Sequence, residues 1–109
     1  MLIEKVCKKL LSHKIDYAIV GGYAVALHGA VRGTMDLDLV IKLSLKSYLA
    51  TEKALQELGF EARLPVSGNE VFNFRKEYIK NKNLIAWSFY NPKEPSEIVD
   101  IIITHDLAK

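Results

Sequence analysis

The chain lacks several features that would place a protein in particular classes. Its single cysteine, Cys7, excludes a disulfide within the chain and fits a reducing cytosol. No apolar run approaches the roughly 18 residues of a membrane span, and the N-terminus does not have the pattern of a signal peptide. The formal net charge of +2 is too small to indicate nucleic-acid binding by itself. We therefore expect a cytoplasmic protein with no membrane partner.

What the chain does contain is the composition of an ordinary globular domain. Half of its 109 residues are hydrophobic and 26% are charged. There is no internal repeat, low-complexity tract or interdomain linker. Residues 1–109 are therefore expected to form a single domain with one hydrophobic core.

The spacing of apolar residues predicts alternating helices and strands, followed mostly by strands. Residues 70–80 fit either type, and 91–95 carry a loop signal. This order indicates an α/β or α+β fold with a mixed β-sheet flanked by helices. The predicted helices are 2–13, 23–28 and 45–58, and the predicted strands are 18–20, 36–42, 60–66, 84–90 and 98–103.

Two carboxylates occupy alternate positions of one hydrophobic strand. Alternation places Asp36 and Asp38 on the same face of that strand. Leu37, Leu39 and Ile41 then point to the opposite, apolar side. Because neighbouring carboxylates repel each other, they need a counter-ion, and a divalent metal ion is a suitable one.

A pair of glycines, Gly21-Gly22, ends the apolar strand 18–20 and opens the next predicted helix. Free backbone N–H groups at such a helix start can hold phosphate. The same pair could also be a simple tight turn, and it lacks the Lys-Ser/Thr ending of a Walker loop. Metal ligands beside a phosphate cradle indicate phosphoryl or nucleotidyl transfer.

A third acid, Asp100, lies among β-branched apolar residues of the last predicted strand. A carboxylate there is costly unless it is paired, protonated or bound to metal. If this strand lies beside 36–42, three carboxylates converge, as in a two-metal site for in-line phosphoryl displacement. The alternative is a structural acid that bonds Arg32 or a backbone amide.

The segment 17–42 carries a longer motif, Gly-Gly-x-Ala…His-Gly…Arg-x-Thr-x-Asp-x-Asp. In this respect the chain resembles the polymerase-beta-type nucleotidyltransferase superfamily. The most similar branch comprises the minimal nucleotidyltransferases and the AbiE-type toxin transferases. The residues that match the motif are Gly21, Gly22, Ala24, His28, Gly29, Arg32, Thr34, Asp36 and Asp38.

The resemblance implies a nucleotidyltransferase fold and a nucleotidyltransferase activity that depends on two Mg²⁺ ions, with Mn²⁺ as a substitute. A nucleoside monophosphate would pass from a nucleoside triphosphate, ATP first, to a hydroxyl on a protein, an RNA or a small molecule. A toxin or antitoxin protein is an expected partner. The implied metal ligands and catalytic residues are Asp36, Asp38 and Asp100, and the implied phosphate-binding residues are Gly21, Gly22, Arg32 and Thr34.

The chain departs from this family at its C-terminus. Longer relatives continue after the last strand with a helical segment that helps to bind substrate, whereas this sequence stops at Lys109. Three interpretations stay open: a minimal module, a fragment that lacks the C-terminal helical segment, and a remnant that has lost substrate binding. The competing functional hypothesis is accordingly a binding module that keeps the fold and has weak or no catalysis.

Overall fold

The computed structural model describes residues 2–20 and 35–108, without the side chain of Met35. The predicted helix at 23–28 lies outside these residues. The described part is an α+β domain with a mixed five-stranded sheet, which confirms the predicted class. Its elements are α1 (Leu2–Ser12), β1 (Tyr17–Val20), β2 (Met35–Ile41), α2 (Leu45–Glu57), β3 (Glu61–Ala62), α3 (Gly68–Asn73), α4 (Arg75–Lys82), β4 (Ala86–Asn91) and β5 (Glu94–Ile102).

The strands lie in the order β1-β2-β5-β4-β3. β2 and β5 are parallel, and the other neighbouring pairs are antiparallel. The last strand of the chain is therefore the central strand of the sheet. It lies between β2, which carries the Asp-x-Asp, and β4.

One face of the sheet, here called the core face, is apolar and buried. Leu37 and Leu39 of β2 are fully buried on it, together with Phe89 of β4. This result confirms the alternation predicted for residues 36–41, and Trp87 of β4 is buried on the same face as Phe89. Helix α1 packs into the same core through residues spaced four apart, which are Leu2, Val6 and Leu10.

Helix α2 begins where the sequence predicts. The Ser44 hydroxyl accepts a hydrogen bond from the Ser47 N–H at 3.1 Å and so caps the helix. The spacing of apolar residues predicts a buried side made of Leu45, Leu49, Ala54, Leu55 and Leu58. Ala54 and Leu55 are buried as predicted, but Leu45 and Leu49 are 38% and 40% exposed. In the first half of α2, Tyr48 and Thr51 are buried in place of these two leucines. Among the described helices, none is long and apolar enough to cross a bilayer.

The strand predicted at 60–66 is much shorter in the structure, where β3 covers only Glu61–Ala62. The pairing ends because the chain turns, with the Val66 N–H donating to the Leu64 carbonyl at 2.7 Å. Pro65 in this turn has no N–H with which to continue a ladder. The ambiguous stretch 70–80 falls largely within the two short helices α3 and α4.

The hairpin between β4 and β5 is tighter than the predicted loop at 91–95. Only Pro92 and Lys93 separate the strands, and β5 already begins at Glu94. Pro95 is tolerated inside β5 because the pairing with β2 starts later, at Glu97.

Candidate functional site: a carboxylate pair at the centre of the sheet

The pairing of β2 with β5 sets two acids side by side. Asp38 is the direct cross-strand partner of Asp100, and Asp36 lies opposite Ile98 in the same ladder. The three aspartates share the face of the sheet opposite the core, here called the acid face, because residues alternate along each strand. The expectation that the last strand adjoins the Asp-x-Asp strand is therefore confirmed.

The three carboxylates differ in their exposure. Asp36 is exposed near the start of β2, whereas Asp38 and Asp100 are half-buried. Beneath them, the core-face residues Leu37 and Val99 are fully buried. The backbone that carries the acids is thus held by a packed core, while their side chains stay accessible from the other side.

The environment disfavours a negative charge on Asp38. Burial raises the pKa of its carboxyl, and the nearby charge of Asp100, a hydrogen bond with the Asp100 carboxyl and the charge of Asp36 raise it further. Among the residues that the structure describes, no Lys, Arg or His side chain forms an ion pair with any of the three. In the described part of the chain, no positively charged side chain therefore offsets the mutual repulsion of these carboxylates.

The donor set fits a hard divalent cation, because carboxylate oxygens are the ligands that Mg²⁺ and Mn²⁺ bind in proteins. A cation would also offset the repulsion that raises the pKa of Asp38. In the described residues, however, no group of three or more His, Cys, Asp or Glu side chains is already gathered closely enough to hold a metal ion. The strand register supplies the side-by-side placement of the acids, and binding would require their side chains to turn toward one ion.

The remaining predicted site residues, Gly21, Gly22, Arg32 and Thr34, lie outside the described residues. Their phosphate-binding roles stay predictions from the sequence. The same holds for the alternative in which Arg32 neutralises Asp100.

The acid face also carries residues that sequence reasoning did not single out. Ser88 of β4 is the cross-strand partner of Asp100. The Arg63 N–H donates to the Ser88 carbonyl at 2.9 Å and extends the ladder one residue beyond β3. Asp38, Asp100 and Ser88 therefore lie side by side on three neighbouring strands, and Arg63, just after β3, lies next to Ser88. The alternation of β4 could have placed Ser88 on this face, but only the sheet order sets it beside Asp100.

A small cavity lies on the same face. It has a volume of about 310 Å³ and is lined by Arg63, Tyr90, Pro95 and Ile98. Ile98 is the cross-strand partner of both Asp36 and Tyr90, so the cavity begins on β5, the strand that also carries Asp100.

Together, the fold and this site define an α+β domain with a mixed sheet and a central pair of facing carboxyl groups on its open side. Comparison of the chain with known protein families, with curated proteins and with solved structures gave no match.

Proposed function

We propose that the protein is a nucleotidyltransferase that uses Mg²⁺ and moves a nucleoside monophosphate from a nucleoside triphosphate to an acceptor hydroxyl. The observation that carries the proposal is the direct pairing of Asp38 with Asp100 in parallel strands. Acids about 60 positions apart in the sequence meet at the centre of the sheet, on the face that the core leaves open. The sequence motif that ends in Asp36 and Asp38 and resembles that of the nucleotidyltransferases indicates the reaction class.

The proposed roles follow from the chemistry of each group. Asp36, Asp38 and Asp100 would hold the metal ions, and Asp100 would also receive the proton of the acceptor hydroxyl. Bound Mg²⁺ supplies stabilisation of negative charge on the phosphates and a lower pKa for the attacking hydroxyl. Gly21 and Gly22 would bring backbone N–H groups close to the β- and γ-phosphates, since a glycine has no Cβ in the way.

Isothermal titration with ATP, in the presence and absence of Mg²⁺, tests this proposal. We expect binding that depends on Mg²⁺ and that Asp36→Asn abolishes. Asp16→Asn is the matched control, because it also removes an exposed carboxylate. Asp16 lies just before β1, next to the end of β2 that is farther from Asp36. ATP binding that is unchanged by Asp36→Asn, or no binding of any triphosphate, would contradict the proposal.

The rival hypothesis, a binding module without catalysis, makes a different prediction in the same experiments. It allows the protein to bind a protein or RNA partner without any transfer of nucleotide. Incubation of the protein with each α-labelled triphosphate and a host lysate distinguishes the two. Label in a macromolecule or small molecule supports the transferase and identifies its acceptor, whereas no transfer from any triphosphate supports the binding module.

A further inference from the structure

A second cavity, here called the lysine cavity, lies between the end of α1 and the start of α2. It has a volume of about 230 Å³, and its lining includes Lys14, Lys42 and Lys46. Lys14 belongs to the turn after α1, Lys42 directly follows β2, and Lys46 lies in the first turn of α2. The fold therefore gathers positive charge from three separate segments around one space.

This positive charge is not neutralised within the described part of the chain. The three lysines are exposed, and no described carboxylate forms an ion pair with any of them. Asp16 also lines the cavity, but the lysines outnumber its single negative charge. The ring of His13, another lining residue, lies 2.8 Å from a Glu57 carboxylate oxygen and is paired with it. The surplus charge favours an anion, and lysine ammonium groups bind phosphate as point charges.

The lysine cavity also offers a neutral hydrogen-bond donor. The Ser44 hydroxyl donates to the Ser47 hydroxyl at 3.0 Å, so the proton of the Ser47 hydroxyl is available for a ligand oxygen. Both serines are half-buried and line the cavity. An anion with several oxygen atoms could therefore accept from Ser47 and contact the lysines at the same time.

The volume limits the size of this anion. Liquid water occupies about 30 Å³ per molecule, so the cavity has room for about eight waters. That is close to the number of non-hydrogen atoms in inorganic pyrophosphate. Sulfate or a single phosphate would fill only about half of the space. A nucleotide would have to leave its nucleoside outside.

The lysine cavity is separate from the aspartates of the acid face. Lys42 directly follows β2, whereas Asp36 lies near the other end of the same strand. The distance from Asp36 to Lys42 along the extended strand is about 20 Å. One small anion cannot contact both residues, so this cavity is distinct from the proposed metal site.

We propose that the lysine cavity binds inorganic pyrophosphate. The ammonium groups of Lys14, Lys42 and Lys46 surround its two phosphate groups, and the Ser47 hydroxyl donates to one of its oxygens. This binding uses neither Mg²⁺ nor the three aspartates. The inference therefore goes beyond the proposed function and does not depend on it.

Titration of the ¹⁵N-labelled protein with pyrophosphate, in EDTA and at constant pH, tests the proposal through the chemical shifts of the backbone amides. We expect the largest shifts at residues 13–16 and 42–47. Lys46→Ala should weaken binding about five- to tenfold, since one charged partner is lost. The control Lys53→Ala removes an exposed lysine from the same helix, outside the cavity lining, and should change the affinity less than about twofold. Asp16→Asn removes the negative charge of the lining and should tighten binding.

Two other anions test which ligand the cavity recognises. Sulfate and ADP should each bind at least about fivefold more weakly than pyrophosphate, because sulfate offers fewer charged oxygens and the nucleoside of ADP does not fit inside. Equal binding of either anion would overturn the assignment to pyrophosphate. Shifts centred on other residues, or equal affinities of Lys46→Ala and Lys53→Ala, would overturn the lysine cavity as the site. Loss of nucleotidyl transfer would leave these results unchanged, since the titration contains neither metal nor triphosphate.

Discussion

Asp38 and Asp100 are direct partners across the parallel strands β2 and β5. Burial of Asp38 and the negative charge of Asp100 both raise the pKa of the Asp38 carboxyl. By itself this arrangement is unfavourable, because like charges placed opposite each other on a sheet repel. A cation bound between the two carboxylates would offset this repulsion. The two facing carboxylates therefore reduce the stability of the fold, whereas the proposed function requires both of them.

The first prediction is that Asp100→Asn stabilises the protein in the absence of metal. Removing one of two facing carboxylates should raise the free energy of unfolding by about 0.5 kcal/mol, since facing like charges cost a fraction of a kcal/mol. Urea unfolding, followed through the fluorescence of the only tryptophan, Trp87, measures the change. A loss of more than about 1 kcal/mol would instead show that Asp100 is a structural acid with a favourable partner.

The second prediction concerns pH. Because the pKa of Asp38 is raised in the folded protein above the ordinary value of 3.8, folding favours its protonated form. The resulting stabilisation is complete below pH 3.8 and disappears as the pH rises through the folded pKa. The free energy of unfolding of the unaltered protein, relative to that of Asp38→Asn, should therefore decrease as the pH is raised from about 4 to 7. A constant difference over this range would refute the assignment.

The third prediction has the opposite sign and involves Glu97. Burial would raise the pKa of Glu97, but hydrogen bonds from Lys5 and Asn91 outweigh burial and lower it. The Lys5 ammonium lies 2.6 Å from a Glu97 carboxylate oxygen and ties α1 to β5. Lys5→Met should cost about 0.5–1 kcal/mol at neutral pH, because Lys5 is partly exposed to solvent.

That cost should diminish as the pH falls through the lowered pKa of Glu97, where its charge is lost in the folded protein as well. Lys8→Met is the control, since it removes an exposed lysine from the same helix and should change stability by less than about 0.5 kcal/mol. Equal effects of the two substitutions at neutral pH would contradict the role of the Lys5–Glu97 pair.

The fourth prediction is that Gly68→Ala destabilises the fold through overpacking. A Cβ at Gly68 would lie 3.0 Å from the Trp87 ring and 3.2 Å from the Tyr48 carbonyl oxygen, and the backbone oxygen cannot easily move away. We expect a cost of about 1–2 kcal/mol in urea unfolding.

Gly59 provides a comparison with a different cause. Its φ of +89° is in the left-handed region, and no atom lies within 4 Å of an added Cβ. Asparagine adopts that region more readily than other residues, so Gly59→Asn should cost less than Gly68→Asn. The reverse order would mean that crowding at Gly68 is relieved by movement of α3.

The fifth prediction follows from the proposed metal site. Adding Mg²⁺ or Mn²⁺ should raise the melting temperature of the unaltered protein, because a ligand that binds only the folded state stabilises it. A chelator should reverse the rise, and Asp38→Asn should abolish it. If the added metal raised the melting temperature of Asp38→Asn by the same amount, the metal would bind elsewhere.

Much of the local structure was predictable from the sequence. The period of apolar residues in α1 and the alternation in β2 both indicate which side is buried, since backbone geometry sets these periods locally. Ser44 predicts the start of α2, and Gly59 its end, because a cap and a left-handed glycine are local requirements.

The errors arose where tertiary contacts outweigh local pattern. Leu45 and Leu49 are as apolar as core residues, yet α2 turns Tyr48 inward, where its ring stacks on Trp87. The strand expected at 60–66 ends early because of the turn around Pro65.

The same distinction between local sequence pattern and tertiary structure applies to the candidate site. By itself, the sequence determined that Asp36 and Asp38 share one side of a strand and that Asp100 lies within a hydrophobic strand, because alternation requires nothing beyond the chain itself. Only the tertiary structure decided that β5 pairs with β2 in the register that sets Asp100 opposite Asp38. Strand order and register depend on burying the core faces of all the strands together under the helices. The packing of these distant residues also sets Ser88 beside Asp100.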